Sequence, residues 1–218
     1  MWSGNRRDSS SNPSRWPPKP SQRYLLKSKP FVPALEYRQI DEVSFAGATN
    51  ASVDLLVHFG LNRGAGLDEA HGGTVAMGPW GQTAFELVPP KVYNNSKNKT
   101  NFHPEWYTGG QLCYNAPGLK ELLAQRVAEI FRAQPSVTMA MIAQEDNGDY
   151  CKRGDDLVQT EANGSPMAPM LQAVNYVADS IKEEFPQHQI GTLAYAYTQP
   201  APNITRPREN VGRTITQQ

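Results

Sequence analysis

Three carboxylates follow directly on an apolar run near the middle of the chain. Residues 136–143 read SVTMAMIA, and the stretch after them, QEDNGDYC, contains Glu145, Asp146 and Asp149. Carboxylates gathered where a buried segment reaches the surface can exchange protons with a substrate or attack it. The alternative is a solvated Asn-Gly turn. That alternative fits Asp149 better than Glu145 and Asp146, which lie nearer the apolar run.

A second apolar run ends in aromatic side chains. Residues 189–198 read QIGTLAYAYT, which places Tyr195 and Tyr197 at the end of a predicted strand. Loops that leave parallel strands converge on one face of the sheet, so these tyrosines and the carboxylates are expected at a common rim. Aromatic rings can cover the apolar C–H faces of a sugar, while carboxylates bond its hydroxyl groups. The pattern therefore predicts a carbohydrate site.

Two histidines lie in sequence typical of loops. His71 stands in EAHGG, where the glycines allow close approach of backbone to a ligand, and FHPEWY brings His103, Glu105 and Trp106 together. All four are candidate substrate contacts. A plain loop is the alternative for His71. A proline turn anchored by a buried tryptophan is the alternative for FHPEWY.

The acidic stretch does not have the spacing of a known metal loop. Residues 146–157, DNGDYCKRGDDL, lack the alternating oxygen ligands and distal glutamate that calcium loops use. Cys151 has no second cysteine or histidine at zinc-ligand spacing. Nucleotide-binding and serine-hydrolase motifs are also missing. We therefore expect no metal and no cofactor.

Composition excludes some partners. Lys and Arg total 21 and Asp and Glu total 21, for a formal net charge of +0, so nothing favours binding to nucleic acid or to an anionic membrane. No apolar run is long enough to span a bilayer, and the start of the chain lacks the apolar core of a signal peptide. Residues 1–28, rich in Ser, Pro and Arg, are predicted to be a disordered leader before an ordered domain over 29–218.

Two features bear on the compartment. Cys113 and Cys151 are the two cysteines, and their types and spacing leave open whether they are free thiols or a disulfide. Five Asn-x-Ser/Thr sequons favour a secreted or lumenal protein, although a polar, Asn-rich surface accounts for the same number. The sequons begin at Asn50, Asn94, Asn98, Asn163 and Asn203.

Hydrophobic periodicity predicts the elements that position the candidate residues. Helical spacing predicts helices near 116–133 and 167–185, and unbroken apolar runs predict buried strands near 136–144 and 189–198. The ENVGRTI segment starts like a further strand. Alternating helices and strands indicate an α/β fold with parallel strands. This is either a small open sheet or the N-terminal portion of a (β/α)₈ barrel, incomplete at this length.

The other segments give weaker signals. PFVPALEYRQI suggests a first strand and NASVDLLVHFG a short helix, with long loops predicted over 60–111 and 145–165.

Nine short motifs, taken in order, resemble a known family. They are PALEYR, AHGG, LVPPKVY, HPEW, QLCYNAP, QEDNGDYC, LQAVNYVAD, IGTLAYAYT and RPRENV. Together they resemble the family called domain of unknown function 4838 over residues 30–215, a barrel family similar to α-glucuronidases and hexosaminidases. The resemblance implies a glycoside-hydrolase-type (β/α)₈ barrel, of which this chain is the N-terminal portion.

The family motifs map onto most of the candidate residues. Asp146 and Asn147 fall on the family's Asp-Asn after the strand, and Asn147 joins the expected substrate contacts. The matching motifs also cover His71, His103, Glu105, Tyr195 and Tyr197. Two departures weaken the parallel. Further cysteines usual after Cys151 are missing, and Gln82 stands near the place of a usual histidine.

The residues and the resemblance together predict a glycoside hydrolase that uses paired carboxylates, with carbohydrate as its partner. Asp146 is the first candidate for catalysis and Glu145 the second, and the partner acid is expected on a later strand. We therefore expect little hydrolysis from this chain alone. One alternative is a barrel that binds carbohydrate without cleaving it, and another is a small open α/β domain with no connection to sugars.

Overall fold

The computed structural model describes residues 58, 60–61, 67, 73 and 76–215, with side chains as far as residue 212. The predicted leader over 1–28, the predicted first strand and His71 lie outside the described residues. Of the helix predicted in NASVDLLVHFG, only His58 and Gly60 are described.

Short elements make up the part of the chain before residue 116. Helices α1 (Ala84–Leu87) and α2 (Pro90–Tyr93) are followed by a 3₁₀ turn at Pro104–Trp106. Strands β1 (Tyr107–Thr108) and β2 (Gln111–Leu112) then form an antiparallel hairpin. Frequent Gly, Pro and Asn keep these elements short, because Pro removes backbone donors and Gly raises the entropy cost of regular structure.

Longer elements follow and carry the core. They are α3 (Leu119–Ala133), β3 (Met139–Met141), α4 (Gly154–Asn163), α5 (Met167–Ile181), β4 (Gln189–Ala194) and β5 (Val211–Ile215). Helix α3 buries Leu119, Leu123, Val127 and Phe131, one on each successive turn. Neither it nor any other described helix is both long and apolar enough to cross a membrane.

The predicted α/β class with parallel strands is confirmed. Strand β4 lies between β3 and β5, and both pairings are parallel, with Met139 opposite Gln189 and Ile190 opposite Val211. The described strands form an open sheet rather than a closed barrel. The further strand suggested by ENVGRTI is present as β5.

Both predicted strands extend beyond the observed ones. The continuation of β3 pairs partly with a side chain, since Ala143 donates its N–H to Thr83 Oγ1 at 3.0 Å. After β4 the chain turns into a 3₁₀ helix at Ala196–Thr198, with Ala196 at φ 48°. The prediction of a loop over 145–165 was wrong for its second half, where the chain forms helix α4.

A further segment extends the sheet on the free side of β3. Residues 76–79, here called the edge segment, form a parallel bridge between Met77 and Met139. The Gly78 N–H donates to the Met139 carbonyl at 2.7 Å, and the Met141 N–H donates to the Pro79 carbonyl at 3.1 Å. The edge segment, β3, β4 and β5 are therefore neighbours in the same order as in the chain.

The two faces of the sheet differ in what covers them. Helices α3 and α5 pack on one face, where Ala140, Ile142 and Ile190 join the main core. The opposite, inner face carries a small cluster of Met141, Ala143 and Leu193, with Met77, Trp80 and Tyr195 packed against it and partly exposed. Among the described residues, the inner face therefore has the smaller buried cluster, and the side chains packed against it stay partly exposed.

Candidate functional site

A carboxylate and a tyrosine meet where β3 and β4 end. The Asp146 side chain is exposed, and its Oδ1 accepts a hydrogen bond from the Tyr195 hydroxyl. Asp146 follows the continuation of β3, and Tyr195 is the residue after β4. Two neighbouring parallel strands therefore deliver one acid and one phenol to a common point, which we call the rim pair.

A buried glutamine holds the two strand ends together. Gln144 has 0% of its surface exposed. Its Nε2 donates to the Tyr195 carbonyl at 2.6 Å and to Thr198 Oγ1 at 3.0 Å. Sequence reasoning missed this residue, although a lone amide at the end of an apolar run is a sign that a buried polar partner is needed.

A second buried glutamine holds the start of the loop that carries Asp146. Gln111 is also 0% exposed. Its Oε1 accepts the Glu145 N–H at 3.0 Å, and its Nε2 donates to the Glu145 carbonyl at 2.8 Å and to Asn147 Oδ1 at 2.9 Å. The side chain thus pairs with Glu145 as a neighbouring strand would, and Asp146 stands between two anchored residues.

The bonds of Asn147 close this turn. Its Nδ2 donates to the Gly110 carbonyl at 3.0 Å, and its Oδ1 also accepts the Asp149 N–H at 3.0 Å. Asn147 was predicted to contact substrate, and in the structure its amide bonds to the protein. A Cβ on Gly110 would lie 2.6 Å from Asn147 Nδ2, so a glycine is required there by close approach.

We expect Gly110→Ala to destabilise the protein by about 1–3 kcal/mol, the usual cost of forcing extra atoms into a packed site. The added methyl must displace Asn147, and Gln111 then loses a partner. Urea unfolding measures the change. Gly148→Ala is the matched control in the same loop, because a Cβ there meets nothing within 4 Å. Equal stability of the two variants would contradict this account of Asn147.

Glu145 is bound by its side chain as well as its backbone. Its Oε1 accepts the Phe85 N–H in the first turn of α1 at 2.7 Å, and the residue is half-buried. Glu145, the second candidate for catalysis, therefore attaches α1 to the segment that follows β3.

A disulfide closes the far end of the same loop. Cys113 and Cys151 are bonded, with their Cα atoms 5.1 Å apart, which settles the question that the sequence left open. Both are buried. Cys113 lies two residues after Gln111, so residues 145–151, here called the rim loop, are held at both ends by one segment. Cys113, Cys151 and Asp156 lie close together, but the sulfurs are bonded to each other and are not metal ligands.

The FHPEWY residues form a separate group. The His103 ring stacks on Trp106 at 3.9 Å, and its Nδ1 lies 2.9 Å from Glu105 Oε1. Trp106 is buried and donates its indole N–H to the Pro117 carbonyl at 2.8 Å. Arg153 donates to the Glu105 carbonyl at 3.2 Å. The FHPEWY residues therefore bond to Pro117 and Arg153, and none of these contacts involves the rim pair.

Tyr197 lies over the disulfide region. Its ring stacks on Tyr150 with the centroids 5.6 Å apart, and burial raises the pKa of its hydroxyl. It lines a small cavity with Tyr114, Asp156 and Thr160. Tyr195 and Tyr197, predicted as one pair, thus make different contacts: Tyr195 bonds Asp146, and Tyr197 packs beside Cys151.

A buried carboxylate that the sequence analysis did not single out fastens α4 to the segment with Cys113. Asp156 is 3% exposed. Its Oδ2 accepts the Tyr114 N–H at 2.8 Å and its Oδ1 accepts the Asn115 N–H at 2.7 Å. Burial raises the pKa of Asp156 to about 6 in spite of these two donors, which favour the charged form.

This shift predicts how stability depends on pH. The pKa of Asp156 is raised on folding from an ordinary value of 3.8 to about 6, so between these values the folded state binds more protons than the unfolded state. Its contribution to the free energy of unfolding is therefore greatest below pH 4 and falls by about 3 kcal/mol as the pH rises through 6.

Urea unfolding of Asp156→Asn between pH 4 and 7 tests this. The difference between the parent protein and the variant isolates Asp156 from carboxylates whose pKa is lowered. Asp155→Asn, a neighbouring exposed change, should keep the fall in stability. The same pH profile in Asp156→Asn as in the parent would contradict the assignment.

The described residues define an α/β protein with parallel strands, a helix layer on one face and a carboxylate–tyrosine pair at the strand ends. The chain belongs to the family described as Domain of unknown function (DUF4838), whose model matches residues 17–217. This confirms the family predicted from the motifs. No curated protein and no solved structure matches the chain.

Proposed function

We propose that the protein is a glycoside hydrolase that acts on carbohydrate through Asp146. The observation that carries the proposal is the rim pair, in which the exposed Asp146 carboxylate accepts the Tyr195 hydroxyl. In parallel α/β proteins catalytic groups stand at the C-terminal ends of strands. An exposed acid held by a phenol there can bind sugar hydroxyls and can react with an anomeric carbon or a water.

The order of the strands supports a (β/α)₈ barrel as the parent fold of the proposal. The edge segment, β3, β4 and β5 are neighbours in chain order, as successive strands of a barrel are. In a doubly wound sheet the strand order reverses at a switch point, with helices on both faces. Among the described elements, α3 and α5 pack together on one face, and the proposal makes the inner face the barrel interior.

The proposal gives Asp146 and Tyr195 different roles. Asp146 attacks the anomeric carbon or takes a proton from the attacking water, while a second carboxyl group protonates the leaving oxygen. The distance between the two carboxyl groups decides which of these routes is used. The Tyr195 hydroxyl orients the carboxylate. We assign Glu145 a positioning role, because its Oε1 already holds the Phe85 N–H.

A secreted or lumenal location is part of the same proposal, because five sequons favour it. Asn94 and Asn203 are exposed and suit a glycan. Asn163 is 2% exposed, and its Oδ1 accepts the N–H groups of Ile204 and Thr205. The Asn163 sequon is therefore unsuited to a glycan in the folded protein.

The test is release of reducing sugar from a panel of uronic-acid and hexosamine glycosides by the protein with its full reading frame. We expect cleavage of at least one class. Binding to the same sugars, detected by calorimetry, without cleavage of any would favour the alternative of a non-catalytic carbohydrate-binding barrel. Neither binding nor cleavage would favour an α/β domain with no connection to sugars.

A further inference from the structure

A small cavity beside the disulfide lies between segments that are distant in the chain. Its lining comes from the segment after β2, the end of the rim loop, α4 and the 3₁₀ helix after β4, and includes Tyr114, Tyr150, Cys151, Thr160 and Tyr197. About 10 Å³ of the cavity is open to the centre of a water molecule. One buried water needs roughly 10–15 Å³ of such space, so the cavity has room for a single water molecule and for nothing larger.

The Tyr114 hydroxyl is a buried donor that lacks a protein acceptor. Tyr114 is 3% exposed, and among the described residues no protein group bonds to its hydroxyl. Burial raises the pKa of this hydroxyl well above its ordinary value, and the neighbouring Tyr197, Glu145 and Asp156 raise it further. The hydroxyl therefore keeps its proton. A buried O–H that bonds to nothing costs stability, and the large majority of such groups in folded proteins have a partner.

Two other polar side chains line the same cavity. Thr160 Oγ1 is buried and has no protein partner within the part of the chain that the structure describes, although a helical threonine can bond the carbonyl four residues earlier. Asp156 lines the cavity as well. Each of its carboxylate oxygens accepts one backbone N–H, from Tyr114 or Asn115, and a carboxylate oxygen can accept a second bond. The cavity therefore combines two unpartnered hydroxyls with a carboxylate that can accept a further hydrogen bond.

We propose that this cavity is the binding site of one structural water, which bonds to the Tyr114 and Thr160 hydroxyls and to the Asp156 carboxylate. The water accepts the Tyr114 O–H and donates its two protons to Thr160 Oγ1 and to a carboxylate oxygen. Three hydrogen bonds, about the usual number for a buried water, satisfy both hydroxyls. The water thus joins α4 to the segment that carries Gln111 and Cys113, and that segment holds the rim loop. This site does not depend on the proposed function.

Urea unfolding of Tyr114→Phe and Thr160→Val tests the site, because the sign of the effect depends on the water. With the water bound, each variant loses one hydrogen bond, and its equilibrium constant for folding should fall about fivefold. Without it, each variant removes a hydroxyl that bonds to nothing, so the constant should stay the same or rise, and that result would overturn the proposal. Tyr176→Phe, at an exposed tyrosine of α5, is the control and should leave the constant unchanged.

The double variant tests whether the two hydroxyls share one partner. Tyr114→Phe and Thr160→Val combined should cost less than the sum of the two single losses, because groups that bond the same molecule are coupled. Fully additive losses would mean two separate partners and would overturn the proposal.

A high-resolution crystal structure of the unmodified protein covers the case in which a variant does not fold. We expect an ordered water within about 3 Å of both Tyr114 Oη and Thr160 Oγ1. A dry cavity, or hydroxyls that bond directly to each other or to other protein groups, would overturn the proposal. The water site and the proposed hydrolase fail separately, since an ordered water in a protein that cleaves no glycoside leaves the water site standing.

Discussion

Asp146→Asn, made in the protein with its full reading frame, should lower the rate of glycoside cleavage at least a hundredfold, the lower end of what a positioned acid–base group contributes. The exchange keeps an oxygen that accepts the Tyr195 hydroxyl, so the rim pair keeps its shape while the negative charge is lost. The rate constant kcat, measured on the best glycoside of the panel, reports the effect. Sugar binding and urea stability should change little.

Asp149→Asn is the matched control for this change. Asp149 is an exposed acid in the same rim loop, and the substitution removes the same charge a few residues away. It should cleave at close to the parent rate. If Asp146→Asn retains full activity, or if both variants lose activity equally, Asp146 does not carry the reaction.

Loss of the disulfide should have the largest effect on stability. The bridge closes a loop with a sequence separation of 38, for which the chain-entropy relation gives about 4 kcal/mol. Replacing Cys113 and Cys151 together by Ser should lower the free energy of unfolding by about that amount, because the unfolded chain regains its freedom. Urea unfolding under oxidising conditions measures it.

Reductant supplies the control for the cysteine variant. Dithiothreitol should destabilise the parent protein by a similar amount and leave the double Ser variant unchanged. It should also slow cleavage by the parent, because the bridge holds the end of the rim loop next to the segment of Gln111. Two thiols that titrate readily in the untreated protein would contradict the assignment.

The sequence predicted well the elements that are held by apolar side chains. Helices α3 and α5 were found because their buried residues recur every three or four positions, as Leu119, Leu123 and Val127 do. The parallel strands were found because both runs are apolar without alternation. These signals are local, so one stretch of sequence is enough to show them.

Helix α4 was missed because its buried residues are polar. They are Asp156 and Asn163, whereas Val158, one of its two large aliphatic residues, is 56% exposed. What keeps this helix in place is Asp156 bound to the N–H groups of Tyr114 and Asn115. A hydrophobic pattern cannot show a helix that is held by a distant hydrogen-bonded carboxylate.

The candidate site was predicted in its residue types and only in part in its geometry. Carboxylates and tyrosines at strand ends led to Asp146 and Tyr195, which are in contact. The residues that hold them, Gln111 and Gln144, bond partners 34 and 51 positions away. Such pairs depend on the tertiary fold, so one sequence read along its length does not reveal them.

A crystal structure of the Asp146→Asn variant with an uncleaved glycoside from the panel decides whether Asp146 lies at the reacting bond. We expect a sugar on the inner face of the sheet, with its anomeric carbon beside residue 146 and a hydroxyl or ring edge near Tyr195. A sugar bound instead beside Glu105 and Arg153, where a separate cavity of about 390 Å³ lies next to the disulfide, would contradict it.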